Sequence, residues 1–191
     1  MKDNISLDQA RILLKKYVHT VYLLKHSRET EVIMAALARH FGENEELWAV
    51  TGLLHDLDMD ETQNQLERHG ARTCEMLEQE GYDIPEMFHA IKAHCENLGH
   101  LGVKREAKMD FCLSAAENLT GIIVAYVLMR PDKKIAQAEA SSITKKLKDK
   151  SFAANVNRDL INDIEKADLQ RNEFITMALN AMKSISQELG L

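Results

Sequence analysis

Residues 48–61 read Trp48-Ala49-Val50-Thr51-Gly52-Leu53-Leu54-His55-Asp56-Leu57-Asp58-Met59-Asp60-Glu61. The apolar run of Trp48, Ala49, Val50, Leu53 and Leu54 has the spacing of a buried helix. Asp56, Asp58, Asp60 and Glu61 then return the chain to water. His55 and Asp56 stand side by side at the edge between the two. An imidazole nitrogen and a carboxylate there can grip one metal ion, with the core behind it and open space in front. A plain helix end with an acidic cap reads the same way, so the pair takes its meaning from the rest of the chain.

Helical spacing continues in both directions. Upstream, Ser6 reads as the N-cap of a run through Ala10, Leu13, Leu14, Tyr17, Val18 and Val21. Ser27 reads as the cap of the next helix, with Glu29 and Glu31 in a first turn that the helix dipole favours. Ile33, Ala36, Leu37, His40 and Phe41 mark its buried side and Gly42 its stop. A third helix spans about residues 45–55. Downstream, residues 59–68 are polar, a loop or a short helical turn. His69-Gly70 opens a helix through Leu77, stopped near Gly81, and Asp83 with Pro85 starts another that carries Met87, Ile91 and His94. Gly99 and Gly102 bracket a loop, and a long helix from Arg105 halts at Pro131. About three more helices fill residues 132–191, the last with an apolar stripe of Phe174, Ala178, Met182, Ile185 and Leu189. Residues 148–151 read as a turn between helices. No alternating β-branched segment competes, so the expected fold is all-α, a single-domain helical bundle over residues 1–191.

Bulk composition fits that fold and excludes several functions. At 191 residues the chain is long enough for one substantial core and short for two. Eight glycines and two prolines leave few turns. Thirty acidic against 24 basic residues give a net charge of −6, which argues against nucleic acid as a partner, because phosphate neutralisation needs a basic surface. Cys74, Cys95 and Cys112 are odd in number and far apart in sequence, which reads as reduced thiols in a cytoplasmic protein. The N-terminus lacks the apolar segment of a signal peptide. Residues 111–129 are apolar enough to raise a membrane span, but Glu117, Asn118 and Thr120 interrupt them, and a core helix is expected instead. The nine methionines and the C-terminal stripe suit a core or a homodimer equally.

Eight histidines are spread along the chain. His19, His40 and His100 read as structural or exposed. His26, His55, His69 and His94 differ, since each is read at or near a helix boundary and converging helix ends can gather ligands from distant positions. Four imidazoles and two carboxylates suit two first-row ions, whereas oxygen-only sites suit magnesium or calcium.

The ordered set His26, His55-Asp56, His69-Gly70, Ala90-Ile91-Lys92-Ala93-His94 and Ala116-Glu117-Asn118-Leu119-Thr120-Gly121 resembles the HD-domain superfamily of metal-dependent phosphohydrolases. It is closest to a branch of small bacterial proteins that also carry patterns like Arg130-Pro131-Asp132-Lys133-Lys134 and the stretch 145–158. The likeness has a motif core at about residues 20–131 and continues into C-terminal helices at about 132–191.

That resemblance implies His26, His55 and Asp56 as ligands of a first metal. Glu117 stands where the family has an aspartate as fourth ligand. Two-metal members add histidines matching His69 and His94, with Asp56 bridging, and Cys95 replaces a further histidine of some of them. The implied cofactor is one or two divalent ions of manganese, iron, cobalt, nickel or zinc. Such an ion lowers the pKa of its water from ~15.7 towards ~7 and draws charge from a phosphoryl oxygen. Asp58 or Asp60 is the candidate to orient that water or to act as general acid, alongside Asp56. Lys92, Lys133, Lys134, Lys145 and Arg158 are candidates for gripping the substrate phosphate. The expected function is hydrolysis of a small phosphate ester, with a nucleotide as the first candidate. Two rivals stand beside it: a di-iron oxygenase on the same ligands, marked by iron and a visible absorption band, and a degenerate regulatory module that retains no metal.

Overall fold

The computed structural model describes the whole chain, Met1–Leu191. Helix α1 (Leu7–Tyr17) begins at Ser6 as its spacing predicts: the Gln9 N–H donates to the Ser6 hydroxyl and the Ser6 N–H to the Gln9 side chain. This reciprocal cap satisfies two N-terminal donors at once.

Helix α2 (Val21–Phe41) departs from expectation. It does not start at Ser27, which lies fully buried inside it. The chain entering it is held instead by Asp60, whose carboxylate accepts from the His19 N–H, the Thr20 N–H and the Thr20 hydroxyl. His26 therefore sits within a helix, not at a boundary, and Glu29 and Glu31 are buried rather than placed in a first turn.

Helix α3 (Glu45–Leu54) is capped by Asn44, whose side-chain oxygen accepts from the Leu47 N–H at 3.1 Å. It crosses α2 at close range because Gly52 has no side chain. A Cβ there would stand 2.8 Å from both Met34 Cγ and the Thr30 carbonyl oxygen. That crossing brings the mid-helix His26 towards the end of α3.

A short α4 (Met59–Thr62) and a 3-10 turn at Leu66–Arg68 lead into α5 (Ala71–Gln79) and α6 (Pro85–His94), the latter with proline in its first turn. Helix α7 (Lys108–Met129) starts where the Asp110 carboxylate accepts from the Glu106 and Ala107 N–H groups. It is long and apolar enough to cross a membrane by length and composition, yet Cys112, Leu113, Ala116, Leu119, Ile122 and Ile123 are wholly buried against other helices. Helices α8 (Ala140–Lys148), α9 (Arg158–Asn162), α10 (Arg171–Ser184) and α11 (Ser186–Leu189) complete the bundle. The expected C-terminal stripe is buried at Phe174, Ala178, Met182 and Leu189, although the chain breaks at Ile185 into two helices.

The fold is all-α, a single helical domain; its one β feature is an isolated bridge between Lys2 and Tyr82. Its apolar interior falls into two bodies. The larger surrounds α7 and α10, with Trp48 and Phe174 among its buried side chains. The smaller joins α1, α3, α5 and α6 through residues such as Leu14, Leu53, Leu77 and Met87. Burying a Leu or Phe side chain contributes about 1.5–3 kcal/mol, so both bodies hold their helices firmly. Helix α3 contributes to both, and polar side chains gather where its C-terminal end meets α2, α6 and α7.

Candidate metal centre

Asp56 is the hub of that polar cluster. Its Oδ1 lies 3.4 Å from His55 Nε2, 3.4 Å from His69 Nε2 and 3.6 Å from His94 Nε2, and its Oδ2 lies 3.6 Å from His26 Nε2. His26 comes from α2, His55 from the end of α3, His69 from the turn before α5, and His94 from the last turn of α6. All five side chains are buried. Residues spread over 69 positions of sequence thus converge on one carboxylate, and the expected six-residue set is completed by Glu117 of α7, whose carboxylate groups with His26 and His55 within 4.8 Å.

The outer nitrogen of each imidazole explains why the inner one faces Asp56. His55 Nδ1 lies 2.8 Å from the Gly52 carbonyl and His94 Nδ1 against the Ile91 carbonyl. A carbonyl only accepts, so both Nδ1 atoms carry the hydrogen. His69 Nδ1 donates to Asp58 Oδ1 at 2.8 Å. His26 Nδ1 lies 3.0 Å from the Thr120 hydroxyl, whose own hydrogen goes to the Glu117 carbonyl at 2.7 Å, so here too Nδ1 donates. All four Nε2 atoms therefore face inward. This is the arrangement in which an outer acceptor fixes the tautomer of a metal-binding histidine.

The donor set fits a divalent ion by a direct observation: His55 Nε2 is buried and has no hydrogen-bond partner in the protein. A buried, unpaired nitrogen costs about 1–3 kcal/mol unless something accepts its lone pair. His69 Nε2 and His94 Nε2 stand 3.1 Å apart, which puts two lone pairs face to face unless a proton or a cation lies between them.

Electrostatics divide the cluster. Burial pushes His55 down to about 3 and also lowers His26, despite Asp56 beside them. Against the same burial, Asp58 and Cys95 raise His69 to about 10. His94 is likewise lifted, burial opposing and Cys95 and Asp56 prevailing. Burial resists ionisation of Asp56, but the surrounding imidazoles hold its carboxyl well below the usual range. Glu117 opens partly to a cavity yet is hemmed in by protein, and burial pushes its carboxyl up to about 8. Cys95 runs the other way from its fellow cysteines: although burial opposes ionisation, His94 and His69 pull its thiol down to about 6, whereas burial raises Cys74 to about 12 and Cys112 further.

Asp58 is not available for the direct catalytic role expected of it. It is fully buried, its Oδ1 accepting from His69 and its Oδ2 from the Gly70 N–H at 2.9 Å. Its own N–H donates to Thr73 at 3.2 Å. Asp58 holds His69 in place, and Asp60 is spent on the start of α2; neither reaches the hub. The acids following Asp56 looked like a solvated loop in sequence, and the missed signal was the His69-Gly70 pair eleven and twelve residues on.

A cavity of about 500 Å³ opens over the cluster, reached by Asp56, His69, His94, Cys95 and Glu117. Its remaining polar wall is made of asparagines, Asn97, Asn118, Asn155 and Asn157, with Leu66, Leu98 and Leu160 between them. None of Lys92, Lys133, Lys134, Lys145 or Arg158 lines it. Lys133 and Lys134 border a separate hollow beside Gln187 and Leu191. Arg158 spends its guanidinium on backbone carbonyls, among them Leu147 at 3.1 Å, Asp149 at 3.0 Å and Val156 at 3.1 Å. The expected phosphate grip by these cations is corrected accordingly, and the asparagines are the wall residues that sequence reading missed.

The HD domain family model matches residues 23–122, just over half of the chain, and the match contains every member of the cluster. Comparison with curated proteins and with solved structures finds no match.

Proposed function

The chain belongs to the HD domain family, and from that premise we propose that it is a metal-dependent phosphohydrolase of small phosphate esters, with nucleotides as the leading substrate class. One observation carries the reading: four Nε2 atoms converge on Asp56 while each Nδ1 is held by an acceptor. His26, His55 and Glu117 would hold one ion, His69 and His94 a second, and Asp56 would lie between them. Ions of the manganese-to-zinc series, when bound, supply the Lewis acidity that makes water a nucleophile at neutral pH and offsets phosphoryl charge.

The chain's own groups supply the rest. Asp58, Thr120 and the carbonyls of Gly52 and Ile91 fix the imidazole rings, so no reorganisation is needed when substrate arrives. The leucines of the cavity exclude water from its walls, and the amide N–H groups of Asn97, Asn155 and Asn157 offer donors to phosphate oxygens or to the edge of a base, whereas the Asn118 amide donates to the Ser114 carbonyl and to Glu117. A volume of about 500 Å³ falls in the ~300–1,000 Å³ range of small-ligand sites. The completeness of the donor set favours an active centre over a degenerate one.

The test is a chelator-stripped protein reloaded separately with manganese, iron, cobalt, nickel and zinc, then assayed for phosphate release from nucleotides and other esters. Release with at least one metal, lost on re-chelation, is the expected result. Metal retention without release from any ester would overturn the phosphohydrolase reading and leave the metal centre standing.

A further inference from the structure

The second half of the cluster contains a donor that the reading above does not use. We propose that Cys95 ligates the second ion as a thiolate, so that His69, His94, Cys95 and Asp56 Oδ1 form a mixed nitrogen, sulfur and oxygen site. The proposal rests on the metal-centre reading and goes beyond it by assigning a soft ligand, and with it a different metal preference, to one half of the centre.

The distances define the site. An ion held tetrahedrally at ~2.0–2.1 Å from nitrogen and ~2.3 Å from sulfur separates two nitrogens by ~3.3 Å and a nitrogen from a sulfur by ~3.6 Å. His94 Nε2 and Cys95 Sγ stand 3.6 Å apart, and the sulfur is 3.7 Å from His94 Nδ1 as well, so it lies beside the ring and joins the ion by a turn about the Cys95 Cα–Cβ bond. His69 Nε2 and His94 Nε2 stand 3.1 Å apart, and Asp56 Oδ1 is 3.4 Å from the first and 3.6 Å from the second. The ligand atoms of His69, His94 and Cys95 all lie within 4.8 Å of one another, and all three side chains are buried.

A separate observation concerns the room made for the sulfur. Gly70 has φ +78, and a Cβ on it would stand 2.8 Å from Cys95 Sγ and 3.1 Å from the Ile91 carbonyl oxygen. A side chain at residue 70 would be strained by that backbone and would displace the sulfur from the cluster. The thiol's protein partners there are weak and long, the Ile91 carbonyl at 3.9 Å and the His94 ring nitrogens at 3.6 and 3.7 Å. Cys74, by contrast, faces the Phe88 carbonyl at 3.7 Å, away from the imidazoles, and Cys112 lies in the apolar interior around α7. A thiolate donor selects zinc or iron over manganese, whereas His26, His55 and Glu117 offer only nitrogen and oxygen.

Titration of the metal-free protein with Co²⁺, followed by absorbance and by thiol reactivity, tests the proposal without reference to activity. Two equivalents are expected to bind, one of them bringing a near-ultraviolet thiolate-to-cobalt charge-transfer band and shielding one thiol. Cys95→Ser should abolish the band and weaken that equivalent by about 10–100-fold or more, the scale seen when even outer partners of a ligand are lost. Cys74→Ser should keep both features. Two bound equivalents without a band, a band that survives in Cys95→Ser, or a single equivalent without a band would overturn the thiolate assignment alone. A protein that takes up no cobalt would overturn the metal-centre reading and this proposal with it. If Cys95→Ser fails to fold, the wild-type band and thiol shielding decide the matter.

Discussion

The two halves of the cluster share Asp56 and little else. On one side, His26 and His55 are held by neutral acceptors, the Thr120 hydroxyl and the Gly52 carbonyl, and burial pushes both imidazoles towards the neutral form. On the other side, His69 is held by the carboxylate of Asp58, and both His69 and His94 lie against the Cys95 sulfur, so their imidazoles are pushed towards the charged form. The same residue type is thus pushed in opposite directions a few ångströms apart. What sets the direction is the balance between burial and the anions close by: Asp58 and Cys95 beside His69, and Cys95 and Asp56 beside His94, outweigh a burial that prevails at His26 and His55.

Removing the shared residue should erase the contrast. Asp56→Ala is expected to lose both ions and to reduce hydrolysis by about 10³-fold or more, corresponding to the several kcal/mol a bound metal supplies. Metal analysis and phosphate-release assays check it. Retention of one full equivalent in the variant would mean that the halves do not share their hub.

Breaking one side at a time comes next. Glu117→Ala should weaken the His26–His55 half by about 10–100-fold in metal affinity, while Glu117→Asp should keep most of it, because an aspartate preserves the carboxylate. Full occupancy and activity in the alanine variant would remove Glu117 from the ligand set. Asp58→Asn is the counterpart on the other side. It keeps the shape but withdraws the anion from His69, and should cost about 10–100-fold at the His69–His94 half alone, read by competition with a chromophoric chelator. Equal weakening of both halves would show that Asp58 acts through the fold rather than through His69.

A milder change probes the neutral partner. Thr120→Val removes the acceptor of His26 at constant shape and should cost about tenfold in metal affinity, less than Asp58→Asn because a neutral hydrogen bond is weaker than one to a charge.

A last test concerns a buried carboxyl beside the first half, read in stability and not in metal affinity. Glu29, one turn beyond His26, is 5% exposed, and burial pushes its carboxyl up to about 8, with Lys25 opposing. Between the unfolded value of ~4.5 and about 8, the folded chain keeps a proton that the unfolded chain has lost. Stability should therefore fall as pH rises through that window and level off above it. Glu29→Gln should flatten the slope and gain on the order of 1–2 kcal/mol at pH 8 over wild type, with no gain at pH 4, in denaturant titrations.

Much of this arrangement was legible in the sequence because it depends on local pattern. The caps at Ser6 and Gly42, the helix ending at His55 and the proline stop after α7 all follow from neighbours along the chain. The ordered histidines were readable as a set, and so was Glu117 in an apolar helix. What could not be read depends on partners distant in sequence. Ser27 looked like a cap because nothing nearby showed that Asp60 would serve the start of α2 from 40 residues away. Asp58 looked solvated because its two partners lie beyond a polar turn. The lysines looked suited to phosphate by sign alone, whereas the wall is set by which loops face the cavity, and those loops present asparagines.

Arg158 connects that wall to the question of how the pocket selects its guest. Its guanidinium ties together the carbonyls of the turn over residues 147–156, and Asn155 and Asn157 in this stretch reach the cavity. A rim fastened in this way is set in advance, so under the proposed function it would meet its substrate by fixed shape rather than by closing around it. Little ordering entropy is then spent on association, and the rim contributes to affinity through residence time rather than through the speed of capture. The same fastening would limit tolerance, since a guest one group too large would have to break the Arg158 bonds to enter.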